Sequence, residues 1–85
     1  MDKPKSYKHR DKFIKLGRKV SYYRKIRGLT QIQLAEKIGI SRTYMSNIEA
    51  INVPLSFSIS TLFDIAEALE IKPSQLLEFE DLDGI

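Results

Sequence analysis

The spacing of apolar residues changes several times along the chain, and each change marks an element. Phe13, Leu16, Val20 and Tyr23 recur at steps of three and four. That places them on one stripe of an α-helix while Lys15, Arg18, Lys19 and Lys25 face elsewhere. Gly28 is the natural stop, because glycine enters the left-handed conformation that closes a helix without steric cost. Thr30 then starts a second helix as N-cap, with Gln33 three positions on to complete a capping box. Leu34, Ala35 and Ile38 form the inner face of this short helix, and Gly39 ends it. Ser41 is again an N-cap residue and opens a third helix from Arg42 to Glu49. A glycine turn of about three residues between two helices predicts a steep crossing, not an antiparallel hairpin.

After Ala50 the period falls to two: Ile51, Val53, Leu55, Phe57 and Ile59 alternate with Asn52, Pro54, Ser56 and Ser58, which predicts extended chain. Ser58 caps a fourth helix whose Leu62, Ile65, Ala66 and Leu69 fall at i, i+3, i+4 and i+7. Pro73 suits the first turn of a fifth helix running to Phe79, with Leu76 and Leu77 apolar. All five predicted elements are helical, so the expected fold is an all-α, compact five-helix bundle with crossed axes. Residues 1–12, polar and basic, read as a mobile arm, 13–79 as the folded domain and 80–85 as an acidic tail. Eighty-five residues allow one domain.

Composition narrows the function classes. With 42% apolar and 29% charged residues the chain has the make-up of a globular protein, not of a disordered one. The absence of cysteine removes disulfides and thiolate metal sites, fits a reducing, cytoplasmic setting, and leaves a small core dependent on helix packing or on a partner subunit. No apolar run approaches the roughly 20 residues of a membrane span, so no membrane association is expected. His9 is the only histidine and reads as a solvated residue of the arm. Asp81 and Asp83 lack the spacing of a calcium loop, and no glycine-rich phosphate loop occurs. No catalytic residue, metal site, cofactor or small-molecule substrate is therefore expected, and the chain does not read as an enzyme. The net charge of +3 conceals a gradient. Residues 1–28 carry eleven Lys/Arg against two Asp, or +9, residues 29–63 are balanced, and residues 64–85 carry one Lys against seven acids, or −6.

The run from Leu29 through Thr30, Gln31, Gln33, Leu34, Ala35, Gly39 and Ser41, continuing as Arg42-Thr43-Tyr44-Met45-Ser46-Asn47-Ile48-Glu49, resembles the helix-turn-helix of the phage-repressor and Cro family, also called the XRE family. The likeness extends upstream to Arg24 and downstream to Phe63-Asp64-Ile65-Ala66-Glu67-Ala68-Leu69, and spans roughly Phe13 to Leu77. It implies a lambda-repressor-like fold and a sequence-specific, double-stranded-DNA-binding transcriptional regulator, expected to be a repressor. In such a unit the second helix of the pair fits the major groove and points its N-terminal residues at base edges. Here those are Arg42, Thr43, Tyr44, Ser46 and Asn47. Arg42 suits guanine O6 and N7, Asn47 suits adenine N6 and N7, and the Thr43 methyl suits a thymine methyl. A merely solvated face has no need of Thr, Tyr, Ser and Asn, which form helix less well than Lys, Glu or Ala.

Gln31, at a helix N-terminus, is expected at a phosphate, and Lys15, Arg18 and Lys19 are expected to add attraction to the DNA backbone. The resemblance further implies that Arg24 and Glu49 form a buried ion pair bracing the first and third helices. A departure follows Glu49: Ile51 stands where family members usually carry glycine, and the loop is about two residues longer and alternately apolar. Residues 51–57 either fold back on the core or form a contact surface. One reading helix covers few base pairs, so a homodimer spanning half-sites about 34 Å apart is expected, with Leu76, Leu77 and Phe79 as contacts. The alternative is a protein-binding module of the same fold that sequesters another regulator.

Overall fold

The computed structural model describes residues 8–50 and 56–79. The expectations for the first seven residues of the arm, for Ile51, Val53 and Leu55, and for the acidic tail from Glu80 fall outside the described residues. Five helices follow in order: α1 (Arg10–Ile26), α2 (Gln31–Ile38), α3 (Arg42–Glu49), α4 (Ile59–Leu69) and α5 (Pro73–Leu76). None of them is long and apolar enough to cross a membrane.

Local chemistry explains each boundary. Helix α1 begins at Arg10, three residues before the first apolar position of its stripe. Arg and Lys are good helix formers and Asp11 lies in the first turn, where the helix dipole favours an anion, so the helix needs no apolar residue to extend that far. Its other end closes through Gly28 at φ 72°, with the Leu29 N–H donating to the Arg24 carbonyl at 3.1 Å. At α2 the Thr30 hydroxyl accepts from the Gln33 N–H at 3.1 Å, and the Gln33 side-chain oxygen accepts from the Thr30 N–H at 2.9 Å. Ser41 and Ser58 cap α3 and α4 by accepting from the N–H groups of Tyr44 and Thr61. Helix α5 is a single turn that ends at Leu76, short of Phe79.

The end of α4 is built differently. Glu70 occupies the left-handed position at φ 59°, where glycine is usual. Arg27, just past α1, crosses to this end: its Nε donates to the Leu69 carbonyl at 2.6 Å and its Nη2 to the Glu70 carbonyl at 3.1 Å. A cation thus sits at the negative end of the α4 dipole and satisfies carbonyls that the helix itself leaves unpaired.

Every helix contributes to one core. Val20, Leu34, Met45, Ile65, Leu69 and Leu76 are all fully buried. The expectation that Leu76 belongs to a dimer contact is therefore corrected: α5 inserts this side chain into the chain's own core. Of the three expected contact residues, Leu77 is half exposed and Phe79 partly buried. Phe57, at the described end of the apolar loop, is partly buried and sets its ring edge-on to Phe13, with centroids 5.7 Å apart.

Helix α1 meets α3 at Gly17. A Cβ there would overlap the Ile48 carbonyl oxygen and lie 3.3 Å from the Glu49 Cα. Glycine is disfavoured inside a helix, by about 1 kcal/mol against alanine, and is needed here only because two backbones touch. Gly17→Ala should therefore lose stability despite its better helix propensity, by about 1–3 kcal/mol, as overpacking does elsewhere. Urea unfolding followed by circular dichroism measures it, and a gain would contradict the close approach. At Glu70 the sign reverses. Glu70→Gly removes the left-handed penalty and a carboxylate from a helix C-terminus, and should raise stability by about 0.5–1 kcal/mol in the same assay.

Candidate nucleic-acid interface

Successive α-helical residues are rotated by about 100°, so α3 has two distinct sides. Met45 and Ile48 are buried and anchor one of them. Thr43, Ser46 and Asn47 share the opposite side, with Arg42 at its edge. Arg42 and Thr43 are exposed, whereas Ser46 and Asn47 are half-buried. Tyr44 lies on the flank and packs its ring against the core, which separates it from the other four expected base readers.

Glu49 closes α3 and is the meeting point of the site. Its Oε2 accepts from Arg24 Nε at 2.7 Å and its Oε1 from Arg24 Nη2 at 3.0 Å, a two-point ion pair whose side chains are only 5% and 10% exposed. Arg24 Nη1 donates to the Leu29 carbonyl at 2.7 Å, in the turn before α2. Gln31, the first residue of α2, donates from Nε2 to Glu49 Oε1 at 3.0 Å. One carboxylate therefore ties together α1, the turn, α2 and α3. Among the described residues no buried side-chain nitrogen or oxygen lacks a hydrogen-bond partner. The cost of burying these charges is thus offset by a complete set of bonds.

The expected phosphate-contacting residues are placed unequally. Gln31 stands at the head of α2, its amide oriented by Glu49. Arg18 is exposed and lines a cleft of about 320 Å³ with Ser21, Tyr22, Lys25 and Glu49, at the seam of α1 and α3. Lys15 and Lys19 lie on the other flank of α1, each about 160° around the helix from Gly17, and are not brought beside α3. Ser21, Tyr22 and Lys25 were not singled out from sequence as candidates. Their spacing with Arg18 reads as an ordinary solvated helix face, and only the packing at Gly17 reveals what they adjoin.

With this geometry in view, the comparisons with known proteins are decisive. The chain matches a helix-turn-helix family over residues 20–76. It belongs to that helix-turn-helix family. It is 42% identical over 67 residues to the immunity repressor protein of Bacillus phage phi105, covering 79% of this chain and 45% of that protein. It therefore spans about half the length of the phage repressor. It is 37% identical over 67 residues to the control protein C.SmaI of Serratia marcescens, covering 79% of this chain and 77% of that one. Among solved structures, the restriction-modification controller protein C.AhdI from Aeromonas hydrophila superposes with a TM-score of 0.69 at 30% identity, over 75% of this chain and 94% of that chain. In this helix-turn-helix, α2 and α3 are the paired helices and Gly39, at φ 77°, turns the chain between them.

The ion pair sets a stability test. Glu49→Ala leaves the buried Arg24 guanidinium uncompensated and should cost about 3–5 kcal/mol. The apolar double replacement Arg24→Met with Glu49→Leu should recover most of that loss but not all, because it strands the Leu29 carbonyl and the Gln31 amide. Denaturant midpoints for the single and double variants measure both effects. Full recovery would show that the outer two bonds contribute nothing.

Proposed function

We propose that this chain is a sequence-specific, double-stranded-DNA-binding transcriptional regulator that represses by occupying its operator as a homodimer. The observation that carries the reading is the exposed side of α3. Arg42, Thr43, Ser46 and Asn47 stand together on a helix whose position is fixed at its far end by Glu49. Arg42 and Asn47 supply the two-point hydrogen bonding that suits guanine and adenine edges, and Thr43 supplies a methyl for thymine. Ser46 sits between them as a shorter hydrogen-bonding group, and Tyr44 reaches bases only with its hydroxyl end, since its ring packs inward. Gln31 takes a phosphate at the N-terminus of α2, where backbone N–H groups and the helix dipole add to its amide. Arg18 contributes backbone attraction, while Lys15 and Lys19, on the far flank of α1, act only through the general field.

The names of the relatives, an immunity repressor and a control protein, support regulation as the role. Dimer contact falls to Leu77 and Phe79. Together with Phe13, Leu16, His9 and Lys12 they line a largely apolar cleft of about 280 Å³ at the end of the molecule where α1 starts and α5 stops. A reading unit of eight residues covers only a few base pairs, so two copies are needed for useful specificity.

Selection from a random duplex pool should enrich a palindrome with half-sites about one helical turn, roughly 34 Å, apart. Arg42→Ala and Asn47→Ala should each relax one position of the half-site by about 1–3 kcal/mol, with the unfolding midpoint unchanged. If no sequence is enriched, the reading is rejected in favour of a module that sequesters another regulator through protein contacts.

A further inference from the structure

The cleft at the α1–α3 seam has a composition that the reading helix does not explain. Its walls are Arg18, Ser21, Tyr22 and Lys25 of α1, and Glu49 lies at its edge. Glu49 does not make it anionic. Both carboxylate oxygens are engaged, by Arg24 and Gln31, and the Arg24 charge cancels it. What the cleft offers outward is two uncancelled cations and two hydroxyls, a set that suits an anionic oxygen. Tyr22 is 59% exposed, yet its ring is held edge-on by Tyr23 with centroids 5.1 Å apart, so the hydroxyl is presented from a braced ring.

The position matters as much as the composition. Gln31, at the head of α2, and this cleft meet at the same Glu49 carboxylate. The cleft therefore continues the α2–α3 face without a break. Arg18 and Lys25 are seven residues apart, about 10 Å along α1, against one phosphate per roughly 3.4 Å of helix axis in each DNA strand. A strand that leaves Gln31 and runs along the seam passes both cations.

We infer that Arg18, Ser21, Tyr22 and Lys25 form a second phosphate clamp, which grips the DNA backbone beyond the phosphate held at Gln31. The clamp rests on the proposed reading of the chain as a DNA-binding protein and extends the footprint along one strand. It holds and orients the duplex but reads no base, because none of its groups lies on the exposed side of α3.

The test uses a mixed-sequence duplex of about three helical turns, since phosphate contacts are indifferent to sequence. Affinity is measured across about 50–200 mM salt for the wild type and variants. Lys25→Gln should reduce the magnitude of the log–log salt slope by about 0.9, and Arg18→Gln with Lys25→Gln by about 1.8. Tyr22→Phe should weaken binding about fivefold with the slope unchanged, as loss of one neutral hydrogen bond does. Lys37→Gln, which removes the same charge from the cleft between α2 and α4, should leave the slope as it was. A wild-type slope retained by the double variant overturns the clamp while leaving the DNA-binding reading intact. Failure of the wild type to bind any duplex overturns both.

Discussion

Glu49 accepts hydrogen bonds from the guanidinium of α1 and the amide that opens α2, and it is itself the last residue of α3. Three helices and the turn at Leu29 are thereby referred to one buried carboxylate. A recognition surface of side chains needs a backbone that does not shift by an ångström under load, and an eight-residue helix cannot supply that rigidity alone. Met45 and Ile48 fix how α3 is rotated. The ion pair fixes where it ends, because a two-point guanidinium–carboxylate contact tolerates little sliding or tilting.

That arrangement depends in turn on a glycine whose importance is invisible in its own side chain. Gly17 lets the backbone of α1 touch the carbonyl of Ile48, and this brings Arg24, two turns later, within direct reach of Glu49. Had the helices stood a methyl group further apart, the same two charges would meet through water and be worth far less. The opposite end of the molecule is tied by an analogous device: Arg27 reaches the last carbonyls of α4. Two arginines three residues apart at the end of α1 thus lock it to α3 on one side and to α4 on the other. In a chain with few core residues, such charge-assisted bonds supplement apolar burial that is limited by size.

The fold was legible because its signals are local. Thr30 with Gln33, Gly39, Ser41 and Ser58 specify helix ends through bonds within four residues, and the structure places caps at these positions. The family resemblance was carried by the same local run. What could not be read came from contacts distant in sequence. Nothing near Arg27 announces that it caps a helix more than forty residues away. Leu76 and Leu77 are adjacent and alike, yet one fills the core and the other is half exposed, which a single-turn helix gives no periodicity to distinguish. Lys15, Arg18 and Lys19 look equivalent as a charge run. They separate only once Gly17 shows which flank of α1 faces α3. A lone glycine inside a helical pattern was the signal available for that distinction.

The same separation changes how the charge gradient acts. Taken over the sequence, the basic first third and acidic last third suggest only that one end prefers a polyanion. In the folded chain the uncancelled cations of α1 that adjoin α3 are Arg18 and Lys25, while α4 presents Asp64 and Glu67 beside Lys37 in a cleft between α2 and α4. Cations beside the reading helix and carboxylates on the helix behind it give a duplex two different approaches. Docking on the α3 face places phosphates near the first set and holds them away from the second; docking from behind does the reverse. At physiological ionic strength charges are screened over about 8 Å, so only groups flanking the contact discriminate between these approaches. The position of two side chains, more than the net +3, therefore sets the orientation in which this small domain meets DNA.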